Sequence, residues 1–367
     1  AGWLAKKVAD HVLDPLYAKA AVFESGGEKV GFASLDTLSV RWTQVSRIRQ
    51  EVEKRRGIRG DGIMVAATHN HAGPAVVNLG ESSRDDAYLA FLVEKVTEAF
   101  VEANAGLTPA KVGVGSGFEG RISFNRRYLM RDGRALCHPG VASPEVICPE
   151  GVIDAELGVL SVKADDDRMM GLITNFACHP THLGGEGEIS AGYPGAFSRE
   201  LKAGLGASLV NVFLNGACGD IHHANPIDPS YDDSPERMGA VLAEDVTKVL
   251  ENMVYSDEVP VGAASATIQL PIRPVGESDL ERAANAQRFA DDDVYRASIR
   301  RLIEKRKVRD FVLAEIQVLR VGDAVFVAIP AEYFVEFGLK IKLNSPAKRT
   351  YVVSCANGMV GYVPTPF

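Results

Sequence analysis

The sequence predicts an α/β (or α+β) fold, with mixed β-sheets layered with α-helices in a single large domain. Two observations carry that expectation. Strand-like apolar runs alternate with helix-like ones along the chain, and no repeat, low-complexity tract or convincing linker interrupts them. A third sets the scale: 46% of the 367 residues are hydrophobic, enough for a large packed core.

Taken in order, residues 29–35 and 61–68 read as strands. Between them, residues 40–57 read as a helix with a basic last turn, Lys54–Arg56, and Gly57 as its C-cap. Ser82, three residues before Asp85, reads as an acidic variant of the capping box. The helix it opens carries Leu89, Leu92, Val93, Val96 and Phe100 on one face and stops at Gly106. Strands follow at 111–117, 157–162, 170–177 and 209–214. Residues 234–253 read as a helix with Pro235 in its first turn. A strand at 264–270 ends at Pro271. Residues 279–307 are charged and helical in period, which predicts exposed helices and a subdomain protruding near 275–310. Residues 312–321 and 324–329 form a predicted hairpin around Gly322-Asp323. A helix at 332–343 and a strand at 350–355 complete the reading.

With Lys+Arg 40 against Asp+Glu 48 and a net charge of -8, the balance argues against nucleic acid and against anionic membrane surfaces. No stretch approaches the ~20 apolar residues of a membrane span, so stable membrane insertion is not expected. The five cysteines, Cys137, Cys148, Cys178, Cys218 and Cys355, include no CxxC pair, which argues against a cysteine-based structural zinc.

The chemistry concentrates in histidines. Six of the eight fall in three short clusters. Thr68-His69-Asn70-His71-Ala72-Gly73-Pro74 follows a buried-strand pattern, and imidazoles at i and i+2 point the same way on an extended backbone. Asn175-Phe176-Ala177-Cys178-His179-Pro180-Thr181-His182 ends another strand, and Gly184-Gly185 follow it. Leu214-Asn215-Gly216-Ala217-Cys218-Gly219-Asp220-Ile221-His222-His223-Ala224-Asn225-Pro226 ends a third. There Asp220 is expected to orient an imidazole. His222 and His223, adjacent on an extended chain, should point apart, so that one of them faces the site. Strand ends are where layered folds collect catalytic groups, and neutral imidazole suits zinc, copper, iron and nickel. HExxH, GxSxG and Walker motifs are absent.

These motifs, in this order, resemble the neutral/alkaline (non-lysosomal) ceramidase family. Residues 68–74 resemble its HTHSGP-type motif. Ser34-Leu35-Asp36 resembles an early strand ending in Asp, and Phe124-Asn125-Arg126-Arg127 its Asn-Arg segment. The 175–181 run resembles its second zinc-histidine motif, and 214–226 its GDVSPN region. Ile329-Pro330-Ala331-Glu332-Tyr333 resembles its Pro-Gly-Glu-Phe segment and Asn357-Gly358-Met359-Val360-Gly361-Tyr362-Val363-Pro364-Thr365 its tyrosine motif. The resemblance implies a Zn2+ ion held by His69, His179, Glu332 and Tyr362. It implies His71 as an acid/base group and Arg126 as the holder of a substrate carbonyl or oxyanion. His222 stands where the family carries serine. The serine-dependent part of the family's mechanism is therefore not carried over, and His222 or His223 is expected to meet substrate or metal instead. Asp36, Asn70, Asn215 and Asp220 are the expected substrate-side polar groups.

The implied activity is zinc-dependent hydrolysis of a linear amide, on a small-molecule, lipid or sugar substrate. Two alternatives stand beside it: a carbohydrate-active hydrolase or lyase on an acidic or N-acylated sugar, and a zinc-binding homologue without catalysis. The resemblance also implies that 1–367 is the catalytic domain without the family's immunoglobulin-like C-terminal domain. A secreted or periplasmic location is expected on the same ground.

Overall fold

The computed structural model describes residues 1–183, 187–285 and 292–366. Strand Glu28–Leu35 lies between Ala18–Ser25, which is antiparallel to it, and Ile63–Ala67, which is parallel. Every residue of Ile63–Ala67 is buried, as a strand covered on both faces requires. Helices Trp42–Arg56 and Asp86–Ala105 cover one side of this sheet. Val45, Ile48, Val52, Leu92, Val96 and Phe100 pack there on Ala33, Leu35 and Val65. Gly57 closes the first helix at φ +66°, the left-handed C-cap that glycine adopts without strain. The second helix departs from expectation at its start. Its N-cap is Asp85, whose carboxylate accepts from the Tyr88 amide at 2.9 Å, while Ser82 is turned back onto Leu79. A carboxylate at this position also meets the positive end of the helix dipole.

A five-stranded sheet runs in the order Val210–Asn215, Met169–Phe176, Glu156–Ala164, Ala110–Phe118, Tyr255–Ser256. Helices Gly192–Leu205 and Pro235–Glu251 cover its outer face. Phe197, Leu201, Leu242 and Val246 bury against Leu157, Val159, Leu172 and Phe213 there. The third large sheet joins Val261–Pro271, Phe311–Val321, Ala324–Ala328 and Arg349–Val353. Its Leu319, Phe326 and Tyr351 share one core with Val30, Phe32 and Met64 of the first sheet and Leu160, Ile173 and Val212 of the second. Helices thus flank sheets that bury their inner faces against one another, the layered architecture expected. Pro271 ends its strand, as expected. It pairs with Phe311 as the last rung, and helices Glu277–Asn285 and Asp292–Val308 are inserted between those two paired residues. The protruding segment expected near 275–310 lies partly outside the described residues.

Parallel pairing places several strand ends together. Glu28–Leu35 pairs with Ile63–Ala67, Met169–Phe176 with Val210–Asn215, and Ala324–Ala328 with Arg349–Val353, each in parallel. The chain leaves all six at the same end, where the loops are sewn to one another. The Thr68 amide donates to Leu35 O, Gly216 to Phe176 O, Ser354 to Asn215 O, Ile329 to Val353 O and Cys355 to Ala331 O. The three histidine clusters sit on these loops. One element there differs from expectation. Glu332 does not open a helix: Glu332–Tyr333 is a short strand parallel to Tyr362–Val363, and the helix is Val335–Asn344. Among the described residues no helix is long and apolar enough to cross a membrane, and all five cysteines are free thiols.

Candidate metal centre

His69 follows the buried strand Ile63–Ala67, but not in extended conformation. Its φ is +70°, a left-handed value that costs a residue with a Cβ roughly 1–2 kcal/mol. The i, i+2 argument for His69 and His71 therefore fails in its premise. The two rings nonetheless meet edge to face, with centroids 4.9 Å apart, because the left-handed turn swings His69 inward. There its Nδ1–H donates to Leu38 O at 2.8 Å. His179, on the loop after Met169–Phe176, donates its own Nδ1–H to Cys218 O at 2.8 Å. A carbonyl can only accept, so both rings carry their proton on Nδ1 and turn a bare Nε2 lone pair inward.

Those two Nε2 atoms are 3.0 Å apart, and His71 Nε2 is 3.4 Å from His69 Nε2. Facing lone pairs at that separation repel unless a cation lies between them. Glu332 Oε2 lies 3.2 Å from His69 Nε2 and 3.5 Å from His179 Nε2, and it is buried without a hydrogen-bond donor. The ligand atoms of His69, His71 and His179 all fall within 4.8 Å of one another, and these three residues could hold a metal ion. Burial, followed by the neighbouring His69, holds His71 and His179 well below the ordinary imidazole range, which favours the neutral form that binds metals. Burial opposes charge on Glu332, but His69, Tyr362 and Arg126 together outweigh it and hold the carboxyl below its usual range. Two or three imidazoles and a carboxylate, with oriented Nδ1 protons and an orphaned oxygen, make a donor set that fits zinc.

Tyr362 and Arg126 border the centre. The Tyr362 ring is parallel to that of His179, centroids 6.5 Å apart, and its phenol is raised above the usual range by burial and then by the Glu332 charge. The Arg126 guanidinium lies 5.4 Å from the Tyr362 ring centroid and donates to Gly219 O.

The remaining expected residues divide. His222 and His223 do not point apart. Their rings stack with centroids 4.0 Å apart, and both approach Thr181 Oγ1. The chain turns after His222, as the Ala224 amide bonding back to His222 Nδ1 at 3.0 Å shows, so the extended-chain premise does not hold. Asp220 orients no imidazole. It accepts from the Val335 amide at 2.7 Å and from Asn125 Nδ2 at 3.0 Å, capping the helix that follows Glu332. Asn215 is fully buried, donating to Thr68 O and Cys178 O and accepting from the Cys178 amide, which leaves no donor for a substrate. Asn70 is tied to the backbone, donating to Ser190 O and accepting from the Ala72 amide. Asp36 is buried against the Tyr17 amide and lines a different cavity of about 380 Å³, with Tyr88 and Phe91. The sequence reading missed the parts played by the Leu38 and Cys218 carbonyls, and by His138, Thr181, His182 and Asp233 around His222 and His223. Thr181 had a signal, the His-Pro-Thr-His run. Asp233 had none. The Gly184-Gly185 pair lies outside the described residues.

No family model matches the chain. In sequence, a stretch of 129 residues is 26% identical to the neutral ceramidase of Pseudomonas aeruginosa, covering 34% of this chain and 18% of that protein. In structure, neutral ceramidase from Pseudomonas aeruginosa matches with a TM-score of 0.70 at 18% identity, over 95% of this chain and 63% of that one. A ceramidase complexed with C2 matches equally, with a TM-score of 0.70 at 18% identity and coverage of 95% and 64%. Each match thus spans less than two thirds of the relative's length. The chain thus shares the fold of these solved ceramidases, and one stretch of its sequence is similar to one of them.

Proposed function

We propose that the protein is a zinc-dependent hydrolase of linear N-acyl amide bonds. The observation that carries this reading is the pair of inward Nε2 lone pairs on His69 and His179, 3.0 Å apart beside the orphaned Glu332 Oε2. The solved relatives named as ceramidases support the amide as substrate class. His69, His179 and Glu332 would hold the ion, with Tyr362 as a further ligand on the strand paired to Glu332. When bound, zinc supplies Lewis acidity, lowering the pKa of water from 15.7 to about 7.

The chain's own groups would do the rest. Leu38 O and Cys218 O fix the two imidazoles by their Nδ1 protons, so that only Nε2 can coordinate. Arg126, always charged and anchored on Gly219 O, presents donors to the oxygen that gains charge as the amide carbon becomes tetrahedral. His71, buried and neutral, is placed to accept a proton from the attacking water and return it to the leaving amine.

The test is elemental analysis paired with turnover on a panel of N-acyl amines of varied acyl length. About one zinc per chain and amide cleavage are expected. His69→Ala should lose the metal, and Arg126→Ala should keep the metal while losing about 10²–10³ in kcat. A folded, metal-free wild-type chain without amidase activity after zinc addition would sink the reading.

A further inference from the structure

Four of the eight histidines stand in a second array, outside the metal centre. His182 stacks on His223 with centroids 3.4 Å apart, His223 on His222 at 4.0 Å, and His138 meets His222 edge-on at 4.6 Å. At its middle is the hydroxyl of Thr181. The bonds around it allow one assignment of protons for neutral rings. His222 Nδ1 accepts from the Ala224 amide at 3.0 Å, and an amide can only donate, so the ring proton is on Nε2. That Nε2–H donates to Thr181 Oγ1 at 2.7 Å. The hydroxyl's own proton is then directed at His223 Nε2, 3.1 Å away. His223 Nδ1–H donates in turn to Asp233 Oδ2 at 2.9 Å. Burial keeps both His222 and His223 below the ordinary imidazole range, so His223 presents a free lone pair at neutral pH.

We propose that Thr181, His223 and Asp233 form a hydroxyl–imidazole–carboxylate triad for acyl transfer, with Thr181 Oγ1 as nucleophile and acyl esters as the substrate class. Hydroxyl to base and base to carboxylate both fall within the 2.6–3.2 Å that such catalysis requires. The carboxylate fixes the tautomer and steadies the imidazolium that forms. Stacking by His182 holds the plane of His223, and His222 Nε2–H stabilises the developing alkoxide. Thr181 and His222 are half-buried and His138 exposed, so the array borders solvent. In the acylation step the Oγ1–acyl carbon bond forms as the Thr181 proton passes to His223 Nε2. The acyl carbon–oxygen bond to the leaving alcohol then breaks, and that alcohol takes the proton from His223. Water, deprotonated by His223, cleaves the acyl-threonine by the same path. None of the three residues belongs to the proposed metal set, so this activity is independent of zinc.

The experiment uses p-nitrophenyl acetate on the chain stripped of metal by a chelator, read by rapid-mixing absorbance and peptide mass mapping. A burst of about one p-nitrophenolate per chain and an acetyl group on Thr181 are expected. Thr181→Val should abolish both and Thr181→Ser retain both, with matching thermal melts as the check on folding. Asp233→Asn should slow acylation by about 10³–10⁴-fold. An acetyl group mapped elsewhere, or a burst surviving in Thr181→Val, overturns the proposal. So does acylation that vanishes with the chelator and returns with zinc, an outcome that leaves the metal reading standing.

Discussion

A single buried amide shows how much of the site rests on residues that do no chemistry. Asn215 joins three loops: its Nδ2 reaches Thr68 O, one residue before His69, and Cys178 O, one before His179, while its Oδ1 takes the Cys178 amide. Replacing it with alanine leaves Thr68 O and the Cys178 amide without this partner inside the protein, each at about 1–3 kcal/mol. Asn215→Ala should therefore lose ~2–5 kcal/mol in denaturant unfolding and bind zinc more weakly. An unfolding midpoint within error of wild type would contradict this. His69 illustrates the companion point, since its φ of +70° is held by the Leu38 carbonyl and the surrounding loops. Strain of that kind is retained where neighbours enforce it.

Among elements, the short strand Glu332–Tyr333 decides whether the carboxylate reaches the imidazoles. It pairs with Tyr362–Val363 on one side. On another it lies so close to Gly219 that a Cβ there would be 2.6 Å from Glu332 O and 2.7 Å from Tyr333 O. The glycine amide uses this closeness to donate to Tyr333 O at 2.7 Å. Only glycine fits at that approach, so Gly219→Ala must push the Glu332 strand outward. The expected result is weakened zinc affinity by about 10–100-fold, the range seen when groups supporting metal ligands are lost, measured by competition with a chromogenic chelator. Unchanged affinity would mean that Glu332 does not bind the ion. Helix Val335–Asn344 reinforces the same placement, because Asp220 accepts from its first amide.

At the scale of the molecule, the buried neutral histidines tie stability to pH. His182 is held at about 3 in the folded chain by burial, then by His223, against about 6.5 unfolded. A folded pKa below the unfolded one means that the unfolded chain binds the extra proton. Stability therefore rises with pH across that interval and is lost as pH falls from about 6.5 towards 3. The metal-free protein should show a thermal midpoint that declines steadily on acidification below pH 6.5. His182→Phe, which keeps a ring on His223 without a titrating group, should flatten that decline. A slope unchanged by the substitution would remove His182 from the account.

The layered fold was legible in the sequence because apolar period is a local property. Leu92, Val93, Val96 and Phe100 face one core, and Ile63–Ala67 is buried throughout, as their spacing alone implied. His69 and His179 were legible for a related reason: each follows a strongly patterned strand, and strand ends converge in parallel sheets. What sequence could not carry is direction. The left-handed turn at His69, the stacking of His222 on His223 and the diversion of Asp220, Asn215 and Asn70 to backbone partners all depend on loops distant in the chain. Asp233 meets His223, and Glu332 meets His69, across contacts that no periodicity records. By itself the sequence determined which segments are buried and which strand ends bear imidazoles. The tertiary structure alone decided which nitrogen each imidazole presents, because that depends on the carbonyl, amide or carboxylate that happens to lie behind the ring.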